Sequence, residues 1–171
     1  MSTSILAGSL KGRRLKTSDS LNIRPTSSRV RASIFNIIGD LSGKKFLDLY
    51  SGAGTLGFEA LSRGALVVVF VDNSVEAIKV MQLNAQLFPG KVYEIVKQDV
   101  MDYLSQCEKF DIIVADPPYH FIDLNNLFQL ADKRLNQGGT LIIESTKRNK
   151  WKPEGARIKT YGETQLSIFR K

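Results

Sequence analysis

Two short segments of this sequence carry residue types that chemistry needs. The first is Asp48-Leu-Tyr-Ser-Gly52-Ala-Gly54-Thr-Leu-Gly57, and Asp72 follows about twenty residues after Gly52. Glycines in such a run allow a tight turn and let a ligand approach the backbone closely. An acid at that later position can accept hydrogen bonds from ribose hydroxyls. The second segment is Asp116-Pro117-Pro118-Tyr119. Two prolines make a rigid, extended corner without backbone N–H groups, so their carbonyls must find partners outside. Asp116 adds a further acceptor and Tyr119 a flat ring. Together they fit a planar base carrying an exocyclic amine. Asp116 and the Pro117 carbonyl would accept the two amine hydrogens while Tyr119 stacks on the ring. Such an amine is a poor nucleophile, because its lone pair is delocalised into the heterocycle. Acceptors on both N–H bonds draw that pair out and aim it at a methyl group, with orientation supplying most of the rate.

Two ligands compete for the glycine run. A dinucleotide sets its pyrophosphate at a helix N-terminus, where an acid just before the glycines is unwelcome. Asp48 suits instead a ligand with an amino group and a positive sulfonium, as S-adenosylmethionine has. A glycine turn holding nothing and an ordinary Pro-Pro loop are the plainer alternatives; placement after predicted strands argues against both. Other residues invite roles that the pattern does not favour. His120 reads as a loop histidine rather than a base, and Cys107 as incidental. Trp151 reads as an anchor for the tail, and Met81, Leu83 and Leu87 as helix core. Glu144 divides evenly between a substrate contact and a structural partner.

The elements that must position these residues follow from periodicity. From Lys45 onward, apolar strands at Phe46–Leu49, Leu66–Val71, Val92–Val96, Phe110–Ala115 and Thr140–Glu144 alternate with helix-like stretches. Those stretches are Thr55–Arg63, Ser74–Leu87, Val100–Cys107 and Asp123–Leu135. The run Leu66-Val-Val-Val-Phe-Val71 suits a central parallel strand covered on both faces. Alternation of this kind predicts an α/β fold with a Rossmann-like, doubly wound, mostly parallel sheet. Ala156–Tyr161 and Gln165–Phe169 around Gly162 predict a closing antiparallel hairpin. Ahead of the sheet, Ile5–Leu15 predicts a small hairpin. A helix then enters at Arg24-Pro-Thr26-Ser27, capped by Thr26 or Ser27, and ends at Gly39.

The chain has 171 residues, a length suited to one domain with its own core. One Cys and one His exclude a disulfide framework and a Cys/His zinc site. No bilayer-spanning run and no secretory leader is legible, so a cytoplasmic, metal-free protein without a membrane partner is expected. The net charge of +7 divides unevenly. Residues 1–31 hold seven basic residues against one acid, 32–144 hold nine against fourteen, and 145–171 hold eight against two. Two basic ends flank an acidic middle, and basic ends with arginine clusters attract a polyanion.

Asp48–Gly57, Asp72 and Asp116–Tyr119 resemble the class I, Rossmann-like S-adenosylmethionine-dependent methyltransferases, and the last motif resembles their amino-methylating branch. Leu6-Ala-Gly-Ser-Leu-Lys-Gly-Arg-Arg-Leu15, Arg24-Pro-Thr-Ser-Ser-Arg-Val-Arg31, Phe35-Asn36 and Glu59-Ala-Leu-Ser-Arg-Gly64 look like the RsmD family. That resemblance covers nearly the whole chain. It implies one methyltransferase domain over 1–171, with a basic hairpin and helix in 1–40 and the catalytic sheet in 41–171. It implies a guanine-N2 methyltransferase of 16S rRNA, acting as a monomer on free RNA or an assembling small subunit. S-adenosylmethionine would be held by Asp48, Tyr50, Gly52, Gly54, Asp72 and Asp99. The target guanine would meet Asp116, Pro117 and Tyr119, and Arg24, Thr26, Arg29 and Arg31 would line the RNA approach. Two departures stand out: Asp72 where many relatives have Glu, and a short basic segment at Lys147–Lys152. An adenine-N6 methyltransferase, an NAD-type oxidoreductase and a non-catalytic RNA-binding scaffold are the competing readings.

Overall fold

The computed structural model describes residues 2–17, 27–118 and 123–171. Strands β1 (Ser2–Ser4) and β2 (Arg14–Lys16) form an antiparallel hairpin, and α1 (Ser28–Ile38) follows. Ser27 caps α1, its side chain accepting the Val30 N–H, and Gly39 ends the helix at φ +78°. The alternating part then runs β3 (Lys45–Leu49), α2 (Thr55–Ser62), β4 (Val67–Asp72), α3 (Val75–Ala85) and β5 (Tyr93–Lys97). It continues through α4 (Val100–Gln106), β6 (Phe110–Ala115), α5 (Leu124–Lys133) and β7 (Leu135–Thr146). A 3-10 turn at Lys147–Asn149 leads to the hairpin β8 (Arg157–Tyr161) and β9 (Thr164–Arg170).

The seven strands of the main sheet lie in the order β5-β4-β3-β6-β7-β9-β8. The first five are parallel, and β9 pairs antiparallel with both β7 and β8. Alternation along each strand sends residues to two cores. Phe46, Val68, Phe70, Val114 and Ile142 pack with α1, α2 and α3 on one face. Leu47, Val69, Ile113 and Ile143 pack with α4 and α5 on the other. Among the described residues, no helix is long and apolar enough to cross a membrane.

Three expectations shift. Strand β4 lies inside the sheet between β5 and β3 and is covered on both faces, as expected, but it starts at Val67, and Leu66 before it is exposed. Strand β7 is much longer than Thr140–Glu144, because it pairs with β6 on one side and β9 on the other. Leu83 lies on the outward side of α3 and is exposed, whereas Met81 on the same helix is fully buried.

The N-terminal hairpin is tied down at several points. Buried Glu59 on α2 accepts the Leu6 N–H at Oε2 (2.7 Å) and the Ala7 N–H at Oε1 (3.0 Å). The Ser62 hydroxyl donates to the Ala7 carbonyl at 2.7 Å and accepts the Leu10 N–H at 3.0 Å. Gly8 must be glycine, since a Cβ there would stand 2.0 Å from the Ser62 carbonyl oxygen. On the other strand, the Asn84 carboxamide accepts the Lys16 N–H at 2.8 Å and donates back to the Lys16 carbonyl at 2.9 Å.

Candidate active site

Strand β3 is paired with β4 on one side and β6 on the other. The chain leaving β3 enters α2 on one face, and the chain leaving β6 reaches α5 on the opposite face. Divergence of this kind opens a crevice beyond the carboxyl ends of the two strands, the position where open α/β sheets bind ligands. Asp48 is the penultimate residue of β3, Asp72 ends β4, and Asp99 lies just past β5. Asp116 directly follows β6, and Glu144 sits near the end of β7. The acids singled out in the sequence are therefore brought to one edge of the sheet.

The loop between β3 and α2 is built on left-handed backbone, with φ of +57° at Tyr50, +54° at Gly52 and +76° at Gly54. Its neighbours hold it from several sides. Ser51 accepts the Val71 N–H at 2.9 Å and donates to the Asp48 carbonyl at 2.6 Å. Asp72 accepts the Gly52 N–H at Oδ2 (2.8 Å) and the Ser74 N–H at Oδ1 (2.9 Å). Asp48 Oδ2 accepts the Gly57 N–H at 2.9 Å. Asn84 donates to the Ala53 carbonyl at 3.0 Å. Gly57 serves packing, since a Cβ there would lie 2.1 Å from the Phe70 ring. The two acids expected to meet a ligand thus also brace the loop.

Electrostatics at this edge is dominated by the burial of carboxyl groups, with like charges adding to it. Burial pushes the Asp48 carboxyl well above its ordinary range; the Gly57 N–H opposes the shift, and Asp116 and Asp72 add to it. Burial raises the Tyr50 hydroxyl, and the charge of Asp99 adds to that. Asp99 is exposed and caps α4, its Oδ1 accepting the Met101 N–H at 2.8 Å. Among the described ion pairs, none involves Asp48, Asp72 or Glu144. No group of three or more His, Cys, Asp or Glu suited to a metal occurs among the described residues.

The Asp116 N–H donates to the Leu49 carbonyl at 3.3 Å, which fixes where the proline corner leaves the sheet. Pro117 is buried and Pro118 exposed. Tyr119 and His120 lie outside the described residues, as do Arg24 and Thr26. Glu144 is buried, with 3% exposure, and its Oε2 has no hydrogen-bond partner. Burial first and Asp116 second push its carboxyl up to about 9.

The two described arginines of the expected RNA approach part company. Arg29 is exposed, its guanidinium 5.9 Å from the Tyr161 ring centroid. Arg31 is buried, so it does not line a surface: its Nη2 donates to the Thr3 hydroxyl (2.8 Å) and the Ser4 carbonyl (3.2 Å). Its backbone spacing on α1 turns it inward beside Ile34 and Phe35, where it fastens β1 to the helix. Exposed Lys147, Arg148, Lys150 and Lys152 follow β7 at the crevice edge. Trp151 anchors the tail, its indole N–H donating to Asn125 at 2.8 Å and its ring meeting Phe169. Burial raises the Cys107 thiol, against a nucleophilic role. Sequence reasoning missed Ser51, Asn84 and the double duty of Asp48 and Asp72, because their partners are backbone groups distant in the chain.

A family model described as Conserved hypothetical protein 95 matches residues 3–170. Ribosomal RNA small subunit methyltransferase D of Haemophilus influenzae is 35% identical over 153 residues, 85% of this chain and 79% of its own. The solved structure of yhhF from Escherichia coli superposes with a TM-score of 0.85 at 26% identity, over 98% of this chain and 97% of that one. A Thermus thermophilus 16S rRNA N2 methyltransferase, solved with AdoMet and guanosine, gives a TM-score of 0.76 at 22% identity. It covers 100% of this chain against 50% of its own length, and the likeness speaks for the fold.

Proposed function

The chain belongs to the Conserved hypothetical protein 95 family, the RsmD-type methyltransferases, and from that premise we propose that it methylates the N2 amine of a guanine in small-subunit (16S) rRNA, with S-adenosylmethionine as methyl donor. The observation that carries this reading is the set of acids at one sheet edge, Asp48, Asp72 and Asp116. Burial first, and the neighbouring acids second, penalise the ionised Asp48 carboxylate, and a cationic ligand would offset that penalty. A sulfonium with an amino group fits that need, and a dinucleotide pyrophosphate does not. The left-handed backbone at Tyr50, Gly52 and Gly54 allows the close approach that such a ligand requires.

Asp48, Tyr50, Gly52 and Gly54 would hold the methionine side, Asp72 the ribose and Asp99 the adenine side. When bound, S-adenosylmethionine supplies a methyl carbon activated by its positive sulfur. The chain's own residues do the rest by orientation. Asp116 and the Pro117 carbonyl accept the two hydrogens of the guanine amine, which turns its lone pair out of the ring plane. Tyr119 stacks on the base. The proton shed by the methylated amine leaves through the Asp116 carboxylate to water. No strong base is required, because the alkylated nitrogen is itself acidic. The exposed bases Arg29, Lys147, Arg148, Lys150 and Lys152 meet the RNA backbone around the crevice, with Arg24 and Thr26 completing the approach. On this reading the enzyme works as a monomer in the cytoplasm, on free 16S rRNA or on an assembling subunit.

The test is transfer of a tritiated methyl group to small ribosomal particles from cells lacking this protein, with the labelled nucleoside identified. Label at guanine N2, lost in Asp116→Ala, supports the reading. Label at adenine N6, or an Asp116→Ala variant at the wild-type rate, overturns it.

A further inference from the structure

Glu144 has no part in the mechanism above, yet the fold spends a buried acid on it. In the β6–β7 ladder, Ile143 is paired with Ala115, so Glu144 flanks Asp116 one step further toward the crevice. Alternation places it on the face of Ile142 and Val114, the face on which Asp48 also lies. From β9 the residue opposite is Leu166, which brings no charge. Its Oε2 is buried and has no hydrogen-bond partner, a costly condition for a group with nothing to bind.

We propose that Glu144 is a specificity-determining residue, whose carboxyl pairs with the N1–H and C6=O of the target guanine while Asp116 holds the neighbouring amine. This rests on the guanine-N2 reading above. A protonated carboxyl presents one acceptor and one donor side by side, the complement of a lactam edge. The adenine edge lacks that pattern, with a bare ring nitrogen beside its amine. Beside Asp116, and buried, Glu144 keeps its proton at neutral pH. The two carboxyls thus divide the guanine edge, one accepting only and the other both donating and accepting.

The experiment measures kcat/KM for wild type, E144A and E144Q on reconstituted particles carrying either guanine or 2-aminopurine at the target position. 2-Aminopurine keeps the reacting amine and lacks both the N1–H and the O6. Wild type should prefer guanine by about a hundredfold, E144A by less than about threefold, and E144Q, an amide of the same shape, should keep most of the preference. A purely structural Glu144 would lower both substrates equally in E144A and leave the preference intact, and that result overturns the proposal. Loss of preference in E144Q as deep as in E144A would also overturn it, because it would make the ionised carboxylate the working form. Thermal unfolding of each variant identifies a folding failure. Were E144A unfolded, E144M, which fills the same space without a polar edge, would take its place: the preference should fall below about threefold, and a preference left intact overturns the proposal. Failure of the wild type to label guanine N2 would refute the earlier reading itself, an outcome separate from a retained preference in E144A.

Discussion

Replacing Glu59 by alanine should uncouple the N-terminal hairpin from the sheet domain. The side chain is fully buried, with 0% exposure. It accepts two backbone N–H groups from Leu6 and Ala7 and an ion pair from Arg63 Nε at 2.7 Å. It also supplies the charge that offsets Arg31, whose own pKa is lowered by burial and whose Nε and Nη1 have no hydrogen-bond partner. Hydrogen bonds to a charged group contribute about 1.5–3 kcal/mol each. Removing one member of a buried ion pair costs about 3–5 kcal/mol. Arg63 is 22% exposed and can turn to water, which discounts its share. A loss of about 4 kcal/mol follows. Urea unfolding monitored by circular dichroism measures it, and hydrogen exchange at the Leu6 and Ala7 amides locates it. Glu59→Gln keeps one acceptor and should lose roughly half as much. A loss below about 1 kcal/mol for Glu59→Ala, with both amides still protected, would refute the idea that this carboxylate anchors the hairpin.

Three further outcomes follow. Between the ordinary carboxylate range and about 9, folded Glu144 holds a proton that the unfolded chain has already lost, so the free protein should lose stability as pH rises through that window. Glu144→Gln should flatten that decline, by up to about 1.4 kcal/mol per pH unit; unfolding midpoints at pH 5, 6.5 and 8 that run parallel to wild type would contradict it. Gly57→Ala drives a methyl group into the Phe70 ring and should cost about 1–3 kcal/mol, read by calorimetry, with weaker cofactor binding as the loop shifts. An unaltered melting temperature would show that the ring yields freely. Arg29→Ala should reduce the salt dependence of RNA binding by about one ion, whereas Arg31→Met should leave it unchanged. The reverse order in filter-binding titrations would return Arg31 to the RNA surface.

The alternating core was legible because its signals are local. Apolar runs of strand length, a helix cap such as Ser27, and glycine-ended turns need only neighbouring residues to be interpreted, whereas the Asp99 cap on α4 emerged only from the structure. Strand β6 is found at its expected bounds, Phe110–Ala115, since an apolar run and a proline corner mark both ends. The order of strands is less local: that β4 lies inside the sheet was legible from its unbroken apolar run, but that β3 sits between β4 and β6 depends on pairings between distant segments. Arginine spacing misled at Arg31, where a helical turn rather than residue type decides which side chains face water. The acids at Asp48, Asp72 and Asp116 were visible as ligand candidates. Their bonds to Gly57 and Gly52 were not, since those depend on how the loop folds back. Glu144 showed only as an acid at the end of an apolar run; its isolation beside Asp116 is a property of the assembled sheet.

Asn84 draws together segments that the chain keeps far apart. One carboxamide, fully buried, holds both backbone groups of Lys16 in the hairpin and the Ala53 carbonyl in the glycine loop. The glycine loop and the hairpin at the basic end therefore share a fastening. Losing the Asn84 side chain would loosen both at once, so their local stabilities are coupled through one side chain.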